Sequence, residues 1–421
     1  MTLFEEQLKR HYQLLPGDAA LETIRQKAWD RFQAVGLPQK NQEVWRSIKL
    51  RKLFEKSLTL PSLGTRSREE IETLILPGFK KRCLVMINGQ LDLELSSTED
   101  LGGRLIVSHL ERAAKSYGGF LKPAWMQAIK EETDPFAVLN SALGAKGAFV
   151  YLPPNAIIEK PVQILSVHSS ETSSLVQPRL HLFAGKGSRI TLVSTPHVFS
   201  SGSVCNASFE LSIDENADVS LYQLNHRMPE AHWQLETTRS FLKRDSRFTA
   251  VNLTNGSETV RSDYKAVLTG ENGEVNLSGL WMLQGNREAH TNILIDHQAP
   301  HCRSNQLFKG VLDDASRSSF EGKIYVRQAA QKTDAFQLNN NLLLSEKANA
   351  FSKPNLEIFA DDVKASHGAT VGQLDKEQLF YLKSRGYSQE MAQKTMIKGF
   401  YLEIIDQIKD SVVRDEITKG W

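Results

Sequence analysis

The chain has 421 residues, with 51 Lys and Arg against 49 Asp and Glu, 40% hydrophobic residues and 24% charged ones. These are ordinary globular values; they exclude a disordered or low-complexity protein, and at about 150 residues per domain they leave room for two to three domains. A net charge of +2 gives no global field to attract nucleic acid or an anionic membrane, so neither is an expected partner. Three cysteines, Cys83, Cys205 and Cys302, are too few for a disulfide framework and, without a CxxC pair, for a structural zinc site of their own. Glu5 and Glu6 stand where a secretion signal carries Lys or Arg, and no apolar run approaches the roughly 18–20 residues of a membrane span. The expectation is a soluble, cytoplasmic protein.

Residues 3–35 read as helix. Leu3, Phe4, Leu8, Tyr12 and Leu15 recur at helical steps, and after Pro16-Gly17 a second stretch, capped by Asp18, carries Leu21, Ile24, Ala28, Phe32 and Val35. Gly36-Leu37-Pro38 stops it. The segment from Gln39 to Leu58 holds six Lys or Arg residues and reads as a solvated helix face rather than a nucleic-acid strip. Residues 83–95 form a strand–turn–strand pattern around Asn88-Gly89, a strong hairpin signal. Helical spacing returns over 110–143.

From Gly147 to about residue 360 the pattern changes to short β-type runs separated by polar turns. Gly187-Ser188 leads into Ile190 and Leu192, Asn216-Ala217 into Val219 and Leu221, Asp245-Ser246 into Phe248 and Ala250, and Asn272-Gly273 into Val275 and Leu277. These copies stand 29, 29 and 27 residues apart, with weaker ones at Ser316 and Ala348. A unit of this length built of strands points to a β-solenoid whose coils stack; the meanders of a β-sandwich are the competing reading. A third region begins near Asp375. Asp375 and Ser388 are N-cap residues for two helices separated by Gly386, and the second carries Met396, Phe400, Ile404 and Ile408 on one stripe. The expected organisation is a mostly helical region with a short hairpin over 1–143, a β-solenoid core over 144–372 and a helical region over 373–421.

No GxxxxGK[ST] phosphate loop, GxSxG elbow, HExxH or Rossmann glycine fingerprint is present, so the chain is not expected to bind or hydrolyse nucleotide by a known loop. His290, His297, His301 and Cys302 crowd into thirteen residues and are of types that bind zinc or iron. Adjacent strand residues face opposite ways, however, so ordinary turn and strand roles are favoured. Asp361, Asp362 and His367 precede a glycine as a metal site or an acid–base pair would, although a lone histidine is more often structural. Asp313-Asp314 reads as a solvated turn rather than as the acid row of a polysaccharide-cleaving solenoid.

The stretch from Lys353 to Gly372, KPNLEIFADDVKASHGATVG, with Gln378 to Gly386, Asn339 to Leu344, Phe136 to Pro161, and Gly36-Leu37-Pro38 with Glu43 and Trp45, resembles the SufB/SufD family of iron–sulfur cluster assembly proteins, and its SufD branch more closely than its SufB branch. The resemblance covers most of the chain and is most specific over residues 353–386. It implies a right-handed parallel β-helix between helical ends. It also implies a non-catalytic scaffold that pairs with SufB, docks the ABC-type ATPase SufC and leaves ATP to SufC, with a homodimer as the alternative assembly of the isolated chain. His367 then becomes an iron or iron–sulfur ligand at the SufB interface, holding a transient cluster, with Asp361 as a weaker candidate to orient it. Many relatives carry a cysteine where this chain has Ala365, which shifts weight onto His367 and onto ligands from SufB. The ATPase contact maps to Asp375–Ile408, with Met396, Phe400, Ile404 and Ile408 as its candidate anchors. A SufB-type paralogue and a β-helix enzyme acting on polysaccharide are the alternatives.

Overall fold

A computed structural model describes residues 3–15, 19–61, 66–144, 146–170, 172–226 and 228–419. The expected Asp18 cap lies outside the described residues. Helices α1 (Leu3–Leu14) and α2 (Glu22–Val35), a single 3-10 turn at Glu43–Trp45, and helices α3 (Leu50–Phe54) and α4 (Arg68–Leu74) lead into the hairpin β1 (Cys83–Ile87) and β2 (Gln90–Ser97). Asn88 and Gly89 both have positive φ, the conformation that lets a two-residue turn match the strand twist. Then come β3 (Ile106–His109), α5 (Leu110–Ser116), α6 (Gly118–Glu131) and α7 (Pro135–Leu143).

The chain now winds into the solenoid. One face is formed by β5 (Val162–His168), β8 (Arg189–Val198), β10 (Asp218–Asn225), β12 (Arg247–Thr254), β14 (Glu274–Leu283), β16 (Arg303–Leu312), β18 (Thr333–Leu343) and β20 (Val363–Gly372). The other is formed by β4 (Ala148–Leu152), β7 (Arg179–Ala184), β9 (Val204–Ile213), β11 (Trp233–Leu242), β13 (Thr259–Leu268), β15 (Glu288–His297), β17 (Arg317–Val326) and β19 (Asn349–Ile358), with the short β6 (Leu175–Val176) beside β9. Coil-to-coil pairing is parallel throughout, over about eight turns. The fold is mainly β, as the repeats predict. The chain closes with α8 (Lys376–Ser384), α9 (Gln389–Ile405) and α10 (Ser411–Lys419). Asp375 caps α8 by accepting from the N–H groups of Glu377 and Gln378, and Ser388 caps α9 through Met391.

The 29-residue spacing is a spacing of corners. Gly187, Asn216, Asp245, Asn272, His301 and Lys332 all have φ between 55° and 67°, a conformation that Gly, Asn and Asp tolerate best. The N–H of each donates to the next coil: Gly187 to Glu215, Asn216 to Arg244, Asp245 to Glu271, Asn272 to Pro300, His301 to Gln331 and Lys332 to Asp362. Just beyond the corners a ladder of alternating charge runs up the outside, with Arg189, Asp218, Arg247, Glu274, Arg303 and Asp334 in register. Arg189 meets Asp218 at 3.6 Å and Arg247 meets Glu274 at 3.4 Å; partly exposed pairs like these contribute at most about 1 kcal/mol each.

Inside the coils, alternate residues such as Leu192, Leu221, Ala250 and Leu277 fill an apolar core. Outside, helices cover both flat faces of the earlier coils. Phe4, Leu8, Trp29, Trp45, Phe136 and Leu139 pack on Val204, Trp233 and Leu235, and Ile404, Ile408, Val413 and Ile417 pack on Tyr222, Leu253 and Leu280 of the opposite face. The segment from Gln39 to Leu58 departs from the expected solvated face. Lys49 pairs with Glu288, while Lys52 and Lys56 pair with Glu258 at 3.1 and 2.9 Å, so three of its cations clasp the solenoid. This cover thins toward the last coils, where the Glu43–Ser47 segment still reaches β19 through the Lys353–Glu43 pair.

Candidate functional site

The sequence signature forms the open end of the solenoid. β19 and β20 are the last strands of their faces, so one edge of each offers unpaired backbone groups. In β20, Val363 and Ala365 turn inward and pack with Ile324, Val326 and Ala335. By alternation His367 faces the same way. Its partner across the strand is Gln337, which is 2% exposed and donates through Nε2 to Gln306 Oε1 at 2.7 Å. Gln306, Gln337 and His367 therefore form one polar column along three successive coils. Two of its members are buried, whereas His367, with no coil above it, is exposed. Gly322 makes the column fit, because a Cβ there would lie 1.8 Å from Gln337 Nε2.

The candidate acids stand elsewhere. Asp361 and Asp362 lie in the corner before β20, and the Asp362 backbone accepts from the Lys332 N–H and donates to Gln331 Oε1. Asp361 makes no hydrogen bond to His367 among the described residues. Six residues of strand span about 20 Å, so sharing a face with His367, as extended geometry predicts for Asp361, does not bring it within reach. The expected orienting role of Asp361 is thus corrected; the buried amide of Gln337 holds the adjacent position. Sequence reasoning missed Gln337 because it lies thirty residues away, in the preceding coil.

The end is ringed by apolar side chains. Phe336, Leu338, Phe351, Ile358, Phe359 and Val371 are all exposed. The tail adds a second exposed group. α8 buries none of its residues, and Phe380 (72% exposed), Tyr381, Tyr387 and Met391 face outward. The predicted anchors divide. Ile404 and Ile408 are fully buried against the chain's own solenoid and are not available to a partner in this conformation. Met396 and Phe400 are half-buried, with Lys309 donating to the Phe400 carbonyl at 2.8 Å and meeting Glu403 at 2.7 Å.

The His/Cys group disperses. His301 is a corner residue; His297 bonds Ser304 at 2.9 Å, and His290 bonds Ser319 at 2.7 Å. Cys302 donates to the Gly270 carbonyl. Burial pushes the Cys83 thiol up to about 12, Cys302 to about 11 and Cys205 higher still, so none is poised as a thiolate nucleophile. Among the described residues no three His, Cys, Asp or Glu side chains gather as a metal site, and no helix is long and apolar enough to cross a membrane.

Comparison with known proteins agrees with the geometry. Residues 166–400 match the family described as "SUF system FeS cluster assembly, SufBD core domain", and residues 2–164 match the SufBD protein N-terminal region. The chain is 31% identical over 412 residues to an iron–sulfur cluster assembly SufBD family protein of Synechocystis, covering 93% of this chain and 88% of that protein. It is 29% identical over 388 residues to the iron–sulfur cluster assembly protein SufD of Escherichia coli, covering 91% of this chain and 88% of that one. With SufD of Bacillus subtilis it shares 26% over 425 residues, covering 99% and 97%. A solenoid of stacked coils, bearing its signature on the open last strand and matched over nearly its whole length, places this chain in the SufBD family of iron–sulfur cluster assembly proteins.

Proposed function

We propose that the chain is the SufD-type, non-catalytic scaffold subunit of a cytoplasmic iron–sulfur assembly complex, and that it pairs through its open solenoid end with a SufB-type partner. The observation that carries this reading is the last coil. It combines unpaired strand edges, an apolar ring and an exposed imidazole standing on a buried polar column. Strand edges and apolar side chains together suit a partner that continues the sheets, and His367 then becomes an interfacial ligand to the cluster. The cluster is cargo: a single imidazole, with the remaining donors supplied across the interface, holds it less firmly than four thiolates would. The SufC ATPase docks on the exposed aromatic face of α8 and the start of α9, while Ile404 and Ile408 fasten that hairpin to the solenoid.

The test is anaerobic co-expression with SufB and SufC. The wild-type chain is expected to co-elute with both and to yield a complex that accumulates clusters, seen in the visible spectrum. The His367→Ala complex is expected to assemble and to lack that spectrum. A chain that elutes alone, or a variant complex with wild-type cluster content, overturns the reading.

A further inference from the structure

On the outer face of the second sheet, away from His367, lies a cleft of about 620 Å³ between the Glu43–Ser47 segment and strands β13 to β19, well within the size range of small-molecule sites. Register fixes its floor. Arg261, His290, Ser319 and Phe351 form one row across four strands. Arg317, Glu321 and Lys353 flank that row, and Arg46 reaches it from the segment above.

Arg261 is the unusual member. It is 1% exposed, and its guanidinium stacks on the Trp45 ring at 3.8 Å. Nη2 is shared between Asp134 and Asp263, each at 2.8 Å. Nε and Nη1, which between them carry three N–H groups, are buried without a hydrogen-bond partner. A buried guanidinium with donors to spare is costly unless an acceptor comes to them. The remaining charges favour an anion. Arg46 and Arg317 have no carboxylate within ion-pair distance among the described residues, and Lys353 pairs with Glu43. Glu321 is the other acid of the lining; burial raises its pKa, with Lys323 and Arg261 opposing. The carboxylates of Asp134 and Asp263 are engaged on the Nη2 side. His290 is held by Ser319 and Glu288, and burial lowers its pKa despite Glu288.

We propose that this cleft binds an oxyanion-bearing small molecule, a phosphate ester or a polycarboxylate, with Arg261 as its buried anchor and Arg46 and Arg317 closing over it from the rim. The site does not rest on the scaffold reading: it makes no use of His367, and it meets the open end only along the outer face of β19, at Phe351 and Lys353.

Calorimetric titration of the purified full chain tests it, with pyrophosphate and citrate as separate probes at constant ionic strength. At least one is expected to bind at a single saturable site. The Arg46→Glu/Arg317→Glu double variant, altered only at the rim, is expected to weaken that binding by about tenfold or more, as loss of charge-assisted contacts would. Binding of pyrophosphate alone identifies a phosphate ligand, and binding of citrate alone a polycarboxylate. Absence of saturable heat with both probes, or undiminished affinity in a double variant of unchanged circular dichroism, overturns the proposal.

Discussion

Gln337 and His367 are direct cross-strand partners, and Gln337 Oε1 is a buried acceptor without a hydrogen-bond partner. Its Nε2 is already given to Gln306 in the coil below. An acceptor beneath an exposed imidazole can fix which ring nitrogen carries the proton and leave the other for iron, the role that outer partners of ligating histidines usually play. On the proposed reading of His367, the polar column links the buried order of the solenoid to the ligand at its end.

His367→Ala should leave thermal stability within about 0.5 kcal/mol of wild type, because the side chain is exposed. Cluster accumulation in the co-expressed complex should fall to background, and Ala365→Cys in that variant should restore part of it, since residue 365 shares the His367 face one step away. Gln337→Leu keeps the size and burial of the column but removes the acceptor; a loss of cluster of about tenfold is expected. Wild-type spectra from the Gln337 variant would show that the imidazole needs no such support.

The open end should control pairing. Ile358 and Val371 are exposed there, on the inward faces of the last two strands. Lysine at either position places a charge where a partner coil would stack, and desolvating it unpaired is costly. Ile358→Lys/Val371→Lys should elute from size exclusion as a monomer and fail to retain SufB in a pull-down, with an unchanged far-ultraviolet spectrum. Retained pairing would move the interface elsewhere.

Within the tail, the two halves should respond differently. Phe380→Ala/Met391→Ala removes exposed apolar surface and should reduce SufC retention by tenfold or more, roughly the effect of losing one interface anchor, without changing the melting temperature. Ile404→Ala opens a cavity between α9 and the solenoid and should cost about 2–5 kcal/mol, measured by urea denaturation. If the first pair instead destabilises the chain and leaves SufC binding intact, the exposed face is not the dock.

The solenoid was legible because its corners demand particular residues. Gly187, Asn216, Asp245 and Asn272 announce left-handed backbone at intervals of 29, 29 and 27 residues, and each is followed by apolar residues at period two. His301 and Lys332 occupy the same corner position with residue types that announce it less plainly, which is why His301 admits a ligand reading in sequence beside the favoured turn role, the one it has in space. The signature around His367 was equally plain, but its surroundings were not. The Gln306–Gln337–His367 column joins residues about thirty apart, and the network of Arg239 and Arg261 with Glu132, Asp134 and Asp263 joins a helix start to strands more than a hundred residues later. Periodicity reports which face a residue occupies; only the stacking of coils decides what lies beside it. For the same reason the Met396–Ile408 stripe was visible as apolar, while its division between core and surface was not.

The buried histidines give the fold a definite acid limit. Burial, with His232 adding to it, lowers His168 to about 3. Burial also lowers His232 to about 4, against hydrogen bonds that its ring donates to Gln234 and to the Ser203 backbone, and His297 to about 4, against Asp296. All three are held neutral inside the solenoid region, whereas in the unfolded chain each titrates near 6.5. Between these values the unfolded state binds more protons, so stability must fall as pH falls. The loss begins near pH 6.5 and continues toward pH 4, where the folded-state histidines themselves begin to charge. At pH 5.5 each histidine should already remove about 1 kcal/mol relative to neutral pH, a little under one unit of linkage. Urea midpoints measured from pH 7.5 to 5.0 should therefore drop well before the carboxylates titrate. His297→Gln, which keeps a neutral polar side chain beside Ser304, should flatten the slope by the share of one histidine, His11 and His290 being lowered by burial as well. A midpoint constant across that range, or a slope unchanged in the variant, would show that these histidines do not stay neutral in the folded protein.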